Sequence, residues 1–145
     1  MRLTELYRCR FHYERGWSVP LRPGESAEAR HFFLAEGRCE GRIAGAFIGA
    51  NHPHQRGDGT FEPDFQGVIE TDDGAVISFD LRGYGRTYPV DRRQIVGVMT
   101  HLSNDERYRW LNDSLAVLTG EVRTIDGNTE LVIDVAELVW EPIED

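Results

Sequence analysis

The sequence predicts an all-β fold: a single closed antiparallel β-barrel of about eight or more strands with one short helix. Three observations support this prediction. Successive short segments alternate apolar and polar residues, turn-forming residues separate them, and the length of 145 residues suits one domain without an internal repeat. Closing the sheet removes its exposed edges, and a barrel of this size can hold one small ligand.

The first predicted strands precede a long irregular segment. Residues 7–14 alternate strictly between apolar and polar side chains, which is typical of a strand with one wet face. A link that contains proline and glycine is expected at residues 18–24, then a second strand at residues 30–36 and a turn at Gly37. The apolar run at residues 43–50 contains two glycines, which commonly mark bends in barrel strands.

Residues 51–64 form the least regular stretch, because prolines and glycines interrupt its polar side chains. We interpret this segment as a long loop that could carry function. Strands resume at residues 67–71 and 75–82. The Asp-Gly step in residues 72–74 is a strong signal for a hairpin between them.

Three further strands are predicted in the carboxyl-terminal third of the chain. They lie at residues 94–101, 115–123 and 129–140, and the last two flank a turn at residues 126–128. The apolar pattern of the final strand shifts near its end. This shift predicts a bulge at residues 136–137, meaning Ala136 or Glu137.

The composition excludes several classes of partner. The net charge of −9, from 16 basic and 25 acidic residues, repels phosphate-rich polymers, so we do not expect nucleic acid binding. No run approaches the roughly 20 apolar residues of a membrane span, and no secretory segment is visible, so we expect no membrane partner and a cytoplasmic location. Arginines nevertheless gather in residues 82–93 and again at Arg107 and Arg109, which allows a local anion pocket. A homo-oligomer is left open.

Cofactor chemistry is not expected either. Cys9 and Cys39 form no paired metal-ligand motif, and we predict two buried thiols. The sequence contains no phosphate loop, dinucleotide-binding glycine pattern, zinc-protease motif or serine nucleophile elbow. We therefore predict a protein with neither metal nor cofactor.

Two segments resemble a known family. They are GVIETDDGAVISFDLRGYGR at residues 67–86 and THLSNDERYRWLNDSLAVLTGEVR at residues 100–123. Their landmarks are a Thr-x-Asp-Gly-Ala hairpin and an Arg-Tyr-x-Trp-Leu-Asn helix, and together they resemble the bacterial domain-of-unknown-function family thirty-two thirty-seven. The likeness covers nearly the whole chain and implies a small barrel of lipocalin-like or calycin-like shape. The family as a whole has no established activity, so the resemblance implies no mechanism.

Residues 51–58 hold the densest set of chemically able groups in the chain. An irregular segment between two barrel strands must lie at a rim, and rims are where barrels accept ligands. We therefore expect His52, His54, Arg56 and Asp58 to reach the lumen rather than bulk solvent, with Arg56 holding a carboxylate or enolate oxygen. The catalytic candidates are His52, His54 and Asp58. The alternative is a solvated loop without a role.

The His-x-His spacing of His52 and His54 also allows a metal hypothesis, because alternate strand residues point the same way and could both bind one ion. Pro53 disturbs a regular strand, however, and Glu62 lies too far along the chain for the usual third ligand. The commoner interpretation is that these histidines form hydrogen bonds within a loop.

His101 is the fourth catalytic candidate. It ends a predicted strand and could face the barrel mouth, where an imidazole pKa near about 6.5 would suit proton transfer. An equally open alternative is that His101 only forms a hydrogen bond where the helix begins.

Residues 103–112 predict the short helix, with Ser103 or Asn104 as its cap. We expect it to close one end of the barrel, with Trp110 and Leu111 in the core and Arg107 paired with a carboxylate. The alternative is a helix that faces ligand. The predicted ligand-binding residues over the whole chain are Arg30, Arg56, Tyr84, Arg107, Tyr108 and Trp110.

Three functions remain open at this point. The first is a barrel that binds a small, largely apolar or aromatic carbonyl compound as a cofactor-free lyase, isomerase or cyclase. The second is a non-catalytic carrier or sensor of such a compound. The third is a structural barrel whose lumen is filled by its own side chains.

Overall fold

The computed structural model describes the backbone of residues 1–22 and 25–145, and the side chains of residues 1–22 and 29–145. These residues contain ten strands and one 3-10 helix, at Arg109–Asp113. The strands are β1 Arg2–Arg22, β2 Glu25–Gly41, β3 Gly45–Asn51, β4 His54–Gln55, β5 Phe61–Glu62, β6 Asp64–Thr71, β7 Val76–Arg86, β8 Gln94–Leu102, β9 Leu115–Ile125 and β10 Asn128–Val139.

Eight of these strands close into an antiparallel barrel, which confirms the predicted fold class. The order around the ring is β7-β6-β3-β2-β1-β10-β9-β8, and pairing between β8 and β7 completes it. The two-residue strands β4 and β5 pair with each other, and β5 joins the ring where Phe61 lies opposite Gly85. The predicted long loop therefore folds as a small flap at one end of the barrel.

Both predicted hairpin turns are present. The turn at residues 72–74 joins β6 to β7, and Gly74 takes a positive φ of 92°. Asp126 and Gly127 take φ values of 51° and 80° between β9 and β10. Two consecutive residues of positive φ match the right-handed twist of the flanking strands, which explains the Asp-Gly sequence.

The first hairpin is longer than predicted. Residues 18–22 of the predicted link continue β1, whereas residues 23 and 24 lie outside the described residues. The predicted turn at Gly37 is wrong, because β2 passes through it opposite Phe11. A side chain there would bring its Cβ within 2.0 Å of the Arg10 carbonyl oxygen. Glycine at this position therefore permits close strand approach rather than a turn.

The predicted bulge lies on the neighbouring strand. The register between β1 and β10 shifts between Glu5 and Tyr7, whose partners Ala136 and Val135 are consecutive. The extra residue is thus Leu6, while β10 pairs regularly with β9 through the same region.

The predicted helix at residues 103–112 is shorter than expected. A longer helix would bond Arg107 N to the Ser103 carbonyl, but side chains bind both groups instead: Asp105 Oδ1 accepts from Arg107 N at 2.9 Å, and Asn112 Nδ2 donates to Ser103 O at 2.9 Å. Such local bonds compete with helical hydrogen bonds. Leu111 is fully buried, as predicted, whereas Trp110 is 36% exposed, so its predicted core position is wrong.

The two ends of the barrel differ in packing. Inward-facing residues of every ring strand build one apolar core, in which the rings of Phe47 and Phe79 stack at 4.6 Å. Cys9 and Cys39 lie opposite each other in this core as buried free thiols, as predicted. The 3-10 helix packs against β8 at the filled end.

Among the described residues, no helix has the length and apolar character that a membrane-spanning helix needs.

Candidate functional site

The lumen contains a partly enclosed cavity of about 190 Å³ at the end nearest the β4–β5 flap. Most of its walls are aromatic or aliphatic, and Tyr13, Asn51 and Arg93 are the polar exceptions. The lining residues are Phe11, Tyr13, Phe33, Asn51, Pro53, Phe61, Pro63, Phe65, Leu81, Gly85, Arg93, Ile95, Val122, Leu131 and Ile133. An apolar cavity with a few polar groups is the usual form of a small-molecule site.

Tyr13 and Asn51 form the polar pair of this cavity. The Asn51 Nδ2 group donates to Tyr13 Oη at 2.9 Å, and Asn51 Oδ1 accepts from the Asp64 amide at 3.1 Å. Burial raises the pKa of Tyr13 above its ordinary value, so the hydroxyl stays protonated near neutral pH. Because the Tyr13 oxygen accepts from Asn51, its proton is available to a bound oxygen.

Arg93 precedes β8 and brings a positive charge to the cavity wall. Its guanidinium carbon lies 4.5 Å from the centre of the Phe61 ring, and Nη1 donates to the Gly85 carbonyl at 3.3 Å. Partial burial lowers the pKa of Arg93 from its ordinary value, although a guanidinium remains charged at every physiological pH.

His31 lies beside two cavity residues. Its ring stacks on Phe33 at 5.6 Å between centres and lies 5.8 Å from the Phe61 ring. The Nδ1 atom is 2.8 Å from Ser18 Oγ, while the buried Nε2 atom has no hydrogen-bond partner among the described residues. If Nδ1 donates to Ser18, Nε2 carries a lone pair and can accept a proton.

The prediction that His52 and His54 reach the lumen is wrong. Successive residues alternate in direction, so Asn51 and Pro53 point inward while the two histidines point outward. The His54 side chain is 74% exposed, and its Nδ1 atom lies 3.3 Å from Glu62 Oε1. The flap does lie at the rim, as predicted. The prediction was wrong about direction, because Asn51 and Pro53 face the lumen instead of His52 and His54.

Arg56 and Asp58 also face outward, contrary to the same prediction. They pair with each other at 2.6 Å, with both side chains substantially exposed. The Arg56 guanidinium holds the pKa of the Asp58 carboxyl well below its ordinary range. Tyr84 lies on the outer face as well, with its ring centre 5.7 Å from the Arg56 guanidinium carbon.

Four of the predicted residues come together in a different place. Arg30, His52, His54 and Arg56 line one groove on the outside of the barrel, between the end of the β1–β2 hairpin and the flap. Their catalytic or ligand-binding roles, and that of Asp58, stay predictions. The groove is open to solvent. Pro53 lines both the groove and the cavity, whereas His31 lines the groove only.

The expectation that His101 faces the barrel mouth is wrong. His101 is 3% exposed, lies in the filled end, and does not line the cavity. Its Nε2 atom is 2.7 Å from Tyr7 Oη, and burial lowers its pKa to about 4. The alternative prediction, a histidine that only forms hydrogen bonds, agrees better with this position.

The remaining predicted residues lie near the 3-10 helix rather than the cavity. Arg107 pairs with Asp105 at 2.8 Å, which confirms its predicted carboxylate partner. Tyr108 Oη donates to Asp73 at 2.7 Å. The exposed Trp110 ring lies 4.5 Å from the Arg42 guanidinium carbon. Their predicted roles in ligand binding stay predictions.

Within the described ranges, no group of three or more His, Cys, Asp or Glu side chains converges in a way that could hold a metal ion. His52 and His54 therefore find no third ligand among these residues. The absence of a metal or cofactor from the working protein stays a prediction.

Most of the candidate residues in and beside the cavity that we did not predict have a recognisable sequence pattern. Tyr13 follows Phe11 by two residues in the alternating first strand, and His31 precedes Phe33 by two in the second. Arg93 belongs to the arginine cluster of residues 82–93, which allows a local anion pocket. Asn51 carries no signal of its own.

The closed ring and the apolar chamber at one end define the class of protein: a small antiparallel β-barrel with an internal cavity. A family model described as "Protein of unknown function (DUF3237)" matches residues 1–138. The chain therefore belongs to this family, which confirms the predicted resemblance. A comparison with curated proteins finds no match.

Solved structures share the fold at low sequence identity. A β-barrel-like protein from Acinetobacter baumannii is 22% identical, with a TM-score of 0.73 and 94% of each chain covered. A protein of unknown function from Clostridium acetobutylicum is 17% identical, with a TM-score of 0.78 and coverage of 96% of this chain and 100% of that one. A protein from Penicillium herquei, described as an enzyme, is 19% identical, with a TM-score of 0.62 and coverage of 92% and 93%. These similarities concern the fold alone.

Proposed function

We propose that the barrel binds a small, largely apolar carbonyl compound in its lumen. The observation that carries this proposal is the Tyr13 hydroxyl, which stays protonated and is oriented by Asn51 inside an aromatic-walled cavity. A volume of about 190 Å³ exceeds the roughly 150 Å³ that admits benzene in other proteins, so a one-ring or two-ring compound fits. Its carbonyl oxygen accepts the Tyr13 proton while its rings pack on the walls.

We further propose that the bound compound undergoes cofactor-free proton transfer, as in a lyase, isomerase or cyclase. In this scheme His31 Nε2, beside the cavity residues Phe33 and Phe61, removes a proton from the carbon next to the carbonyl. The C–H electron pair then forms the C=C bond of an enolate, and the C=O π pair moves to the carbonyl oxygen. The Tyr13 hydroxyl stabilises the developing negative charge, as oxyanion-hole donors do. Return of the proton to a carbon atom completes an isomerisation. The description of one structural relative as an enzyme is compatible with catalysis.

Binding is tested with 2-tetralone, a bicyclic ketone, by isothermal titration calorimetry. Tyr13→Phe removes one neutral hydrogen bond, so we expect affinity to fall about fivefold to tenfold. Tyr84→Phe makes the same chemical change on the outer face and should leave affinity unchanged. Equal losses in both variants, or no saturable binding by the parent protein, would contradict lumen binding.

Catalysis is tested by the exchange of the α-protons of 2-tetralone in deuterated water, followed by NMR. The parent protein should accelerate exchange, and His31→Gln should abolish the acceleration, whereas His52→Gln and His54→Gln should retain it. Saturable binding without accelerated exchange would instead favour a carrier or sensor. Loss of exchange in the His52 or His54 variants alone would assign the catalytic role to those histidines instead of His31.

A further inference from the structure

Arg93 is the one charged residue among the described residues that line the cavity. The other fourteen lining residues are apolar or neutral, and they include neither aspartate nor glutamate. Both partners of the Arg93 guanidinium, the Phe61 ring and the Gly85 carbonyl, are uncharged. These contacts hold the group in place without neutralising its charge.

Two arginines near Arg93 have carboxylate partners, whereas Arg86 lies over the Tyr88 ring and forms no ion pair among the described residues. Arg92 Nε lies 2.6 Å from Glu121, and Arg82 Nε lies 3.0 Å from Asp80. In the described part of the chain, no carboxylate oxygen lies within 4.0 Å of Arg93. Arg93 therefore lines the cavity without a carboxylate partner among the described residues, in a protein of net charge −9 that has many acids available for pairing.

A partly buried cation without a counterion costs stability, because it loses hydration without gaining an opposite charge. Such a group gains most from a ligand that brings the missing charge. A guanidinium binds a carboxylate through two parallel hydrogen bonds, and few other side chains match that geometry. The apolar walls next to Arg93 accept only the uncharged remainder of such a ligand.

We propose that the cavity selects small aromatic carboxylates, whose anionic group binds the Arg93 guanidinium while the ring packs against the apolar walls. This inference rests on lumen binding as proposed above and narrows its ligand class. The preference opposes the global electrostatic field, since a strongly acidic protein repels small anions. A measured preference for the anion must therefore arise locally.

The test compares two ligands of nearly equal size, 2-naphthoate and 2-naphthamide, by isothermal titration calorimetry near neutral pH. The first carries a carboxylate and the second a neutral amide on the same rings. We expect the parent protein to bind 2-naphthoate at least about tenfold more tightly, because charge-assisted hydrogen bonds are stronger than neutral ones. Arg93→Gln should reduce this preference to less than about twofold while 2-naphthamide binding persists.

Two control variants separate the local charge from general effects. Arg92→Gln removes the same charge one residue away, at an exposed pair with Glu121, and should retain the preference. Arg93→Lys keeps the charge and should retain part of it, which guards against a folding defect in Arg93→Gln.

Equal affinity for both ligands in the parent protein would overturn the inference while leaving lumen binding intact. An unchanged preference in Arg93→Gln would overturn it as well. Failure of the parent protein to bind either ligand would contradict both the inference and the proposed function.

Discussion

At the scale of single residues, the Tyr7–His101 pair is the clearest polar feature of the filled end. Its two side chains bond to each other at 2.7 Å inside the apolar core, and His101 Nδ1 has no partner among the described residues. Burial disfavours the imidazolium, which is why the pKa of His101 falls to about 4. The pair is therefore stable only with a neutral histidine.

This pair predicts a loss of stability in mild acid. The unfolded chain binds a proton at His101 near pH 6.5, whereas the folded protein binds it only near pH 4, so the free energy of unfolding falls as pH drops through this window. The loss should reach about 3 kcal/mol at its lower end. Urea unfolding at several pH values measures it.

The double variant Tyr7→Phe/His101→Leu provides the comparison, because replacing both partners by apolar groups leaves no unpaired polar atom. Its unfolding free energy should fall less steeply than that of the parent protein over the same window. His54→Gln, at an exposed position, should behave as the parent does. Identical slopes in the parent and the double variant would show that His101 is not the group responsible.

At this scale, the sequence did not reveal which side chains face the lumen and which face solvent. Composition identified residues 51–58 as the densest reactive cluster, but whether an odd or an even residue faces inward depends on strand register, and one step reverses it. Asn51 and Pro53 consequently line the lumen instead of His52 and His54. In β1 the alternation through Phe11 to Tyr13 was regular, and there the inward face could have been predicted.

At the scale of elements, the 3-10 helix contributes through one buried side chain. Leu111 is fully buried, whereas Trp110 lies on the surface, where its Nε1 donates to the Arg107 carbonyl at 3.0 Å. A longer amphipathic helix would have buried both. The stability of this segment should therefore depend on Leu111.

Leu111→Ala should lower the free energy of unfolding by about 3 kcal/mol, because it leaves a cavity in a packed core. Trp110→Ala should lower it by only about 1 kcal/mol, mainly through the lost contact with Arg42. Chemical denaturation of both variants, with the exposed Leu115→Ala as a control, measures the difference. A Trp110→Ala variant that is less stable than Leu111→Ala would mean that the indole is buried.

Element types were predictable, whereas their lengths were not. Each ring strand has a predicted counterpart because alternation and turn residues are local signals. The first hairpin extends further than predicted because β1 tolerates Pro20. Over residues 17–22, β1 pairs with β2 and, among the described residues, with no strand on its other side, and a missing backbone donor is tolerated in such an edge segment. Proline and glycine in residues 18–24 are typical of a link, whereas the described residues 18–22 continue β1.

At the scale of the whole molecule, closure of the ring creates a chamber that the chain's own side chains fill only at one end. Glycines allow the tight strand approach on which this closure depends; at Gly67, for example, an added Cβ would lie 2.1 Å from the Ile48 carbonyl oxygen. Gly85 differs, because the atoms nearest to an added Cβ would be Arg93 Cδ and Phe61 Cβ at 3.5 Å and Phe61 O at 3.9 Å, all ordinary contact distances. A larger side chain there would enter the cavity.

The most direct test of lumen binding is the affinity of the Gly85→Leu variant for 2-naphthamide. The leucine side chain should occupy the chamber, so we expect the variant to fold and to lose at least about 20-fold in affinity, a loss of roughly 2 kcal/mol. Gly57→Leu adds the same side chain on the outer loop, where nothing lies within 4 Å, and should bind as the parent protein does. A folded Gly85→Leu variant that binds 2-naphthamide with unchanged affinity would show that the ligand site lies outside the lumen.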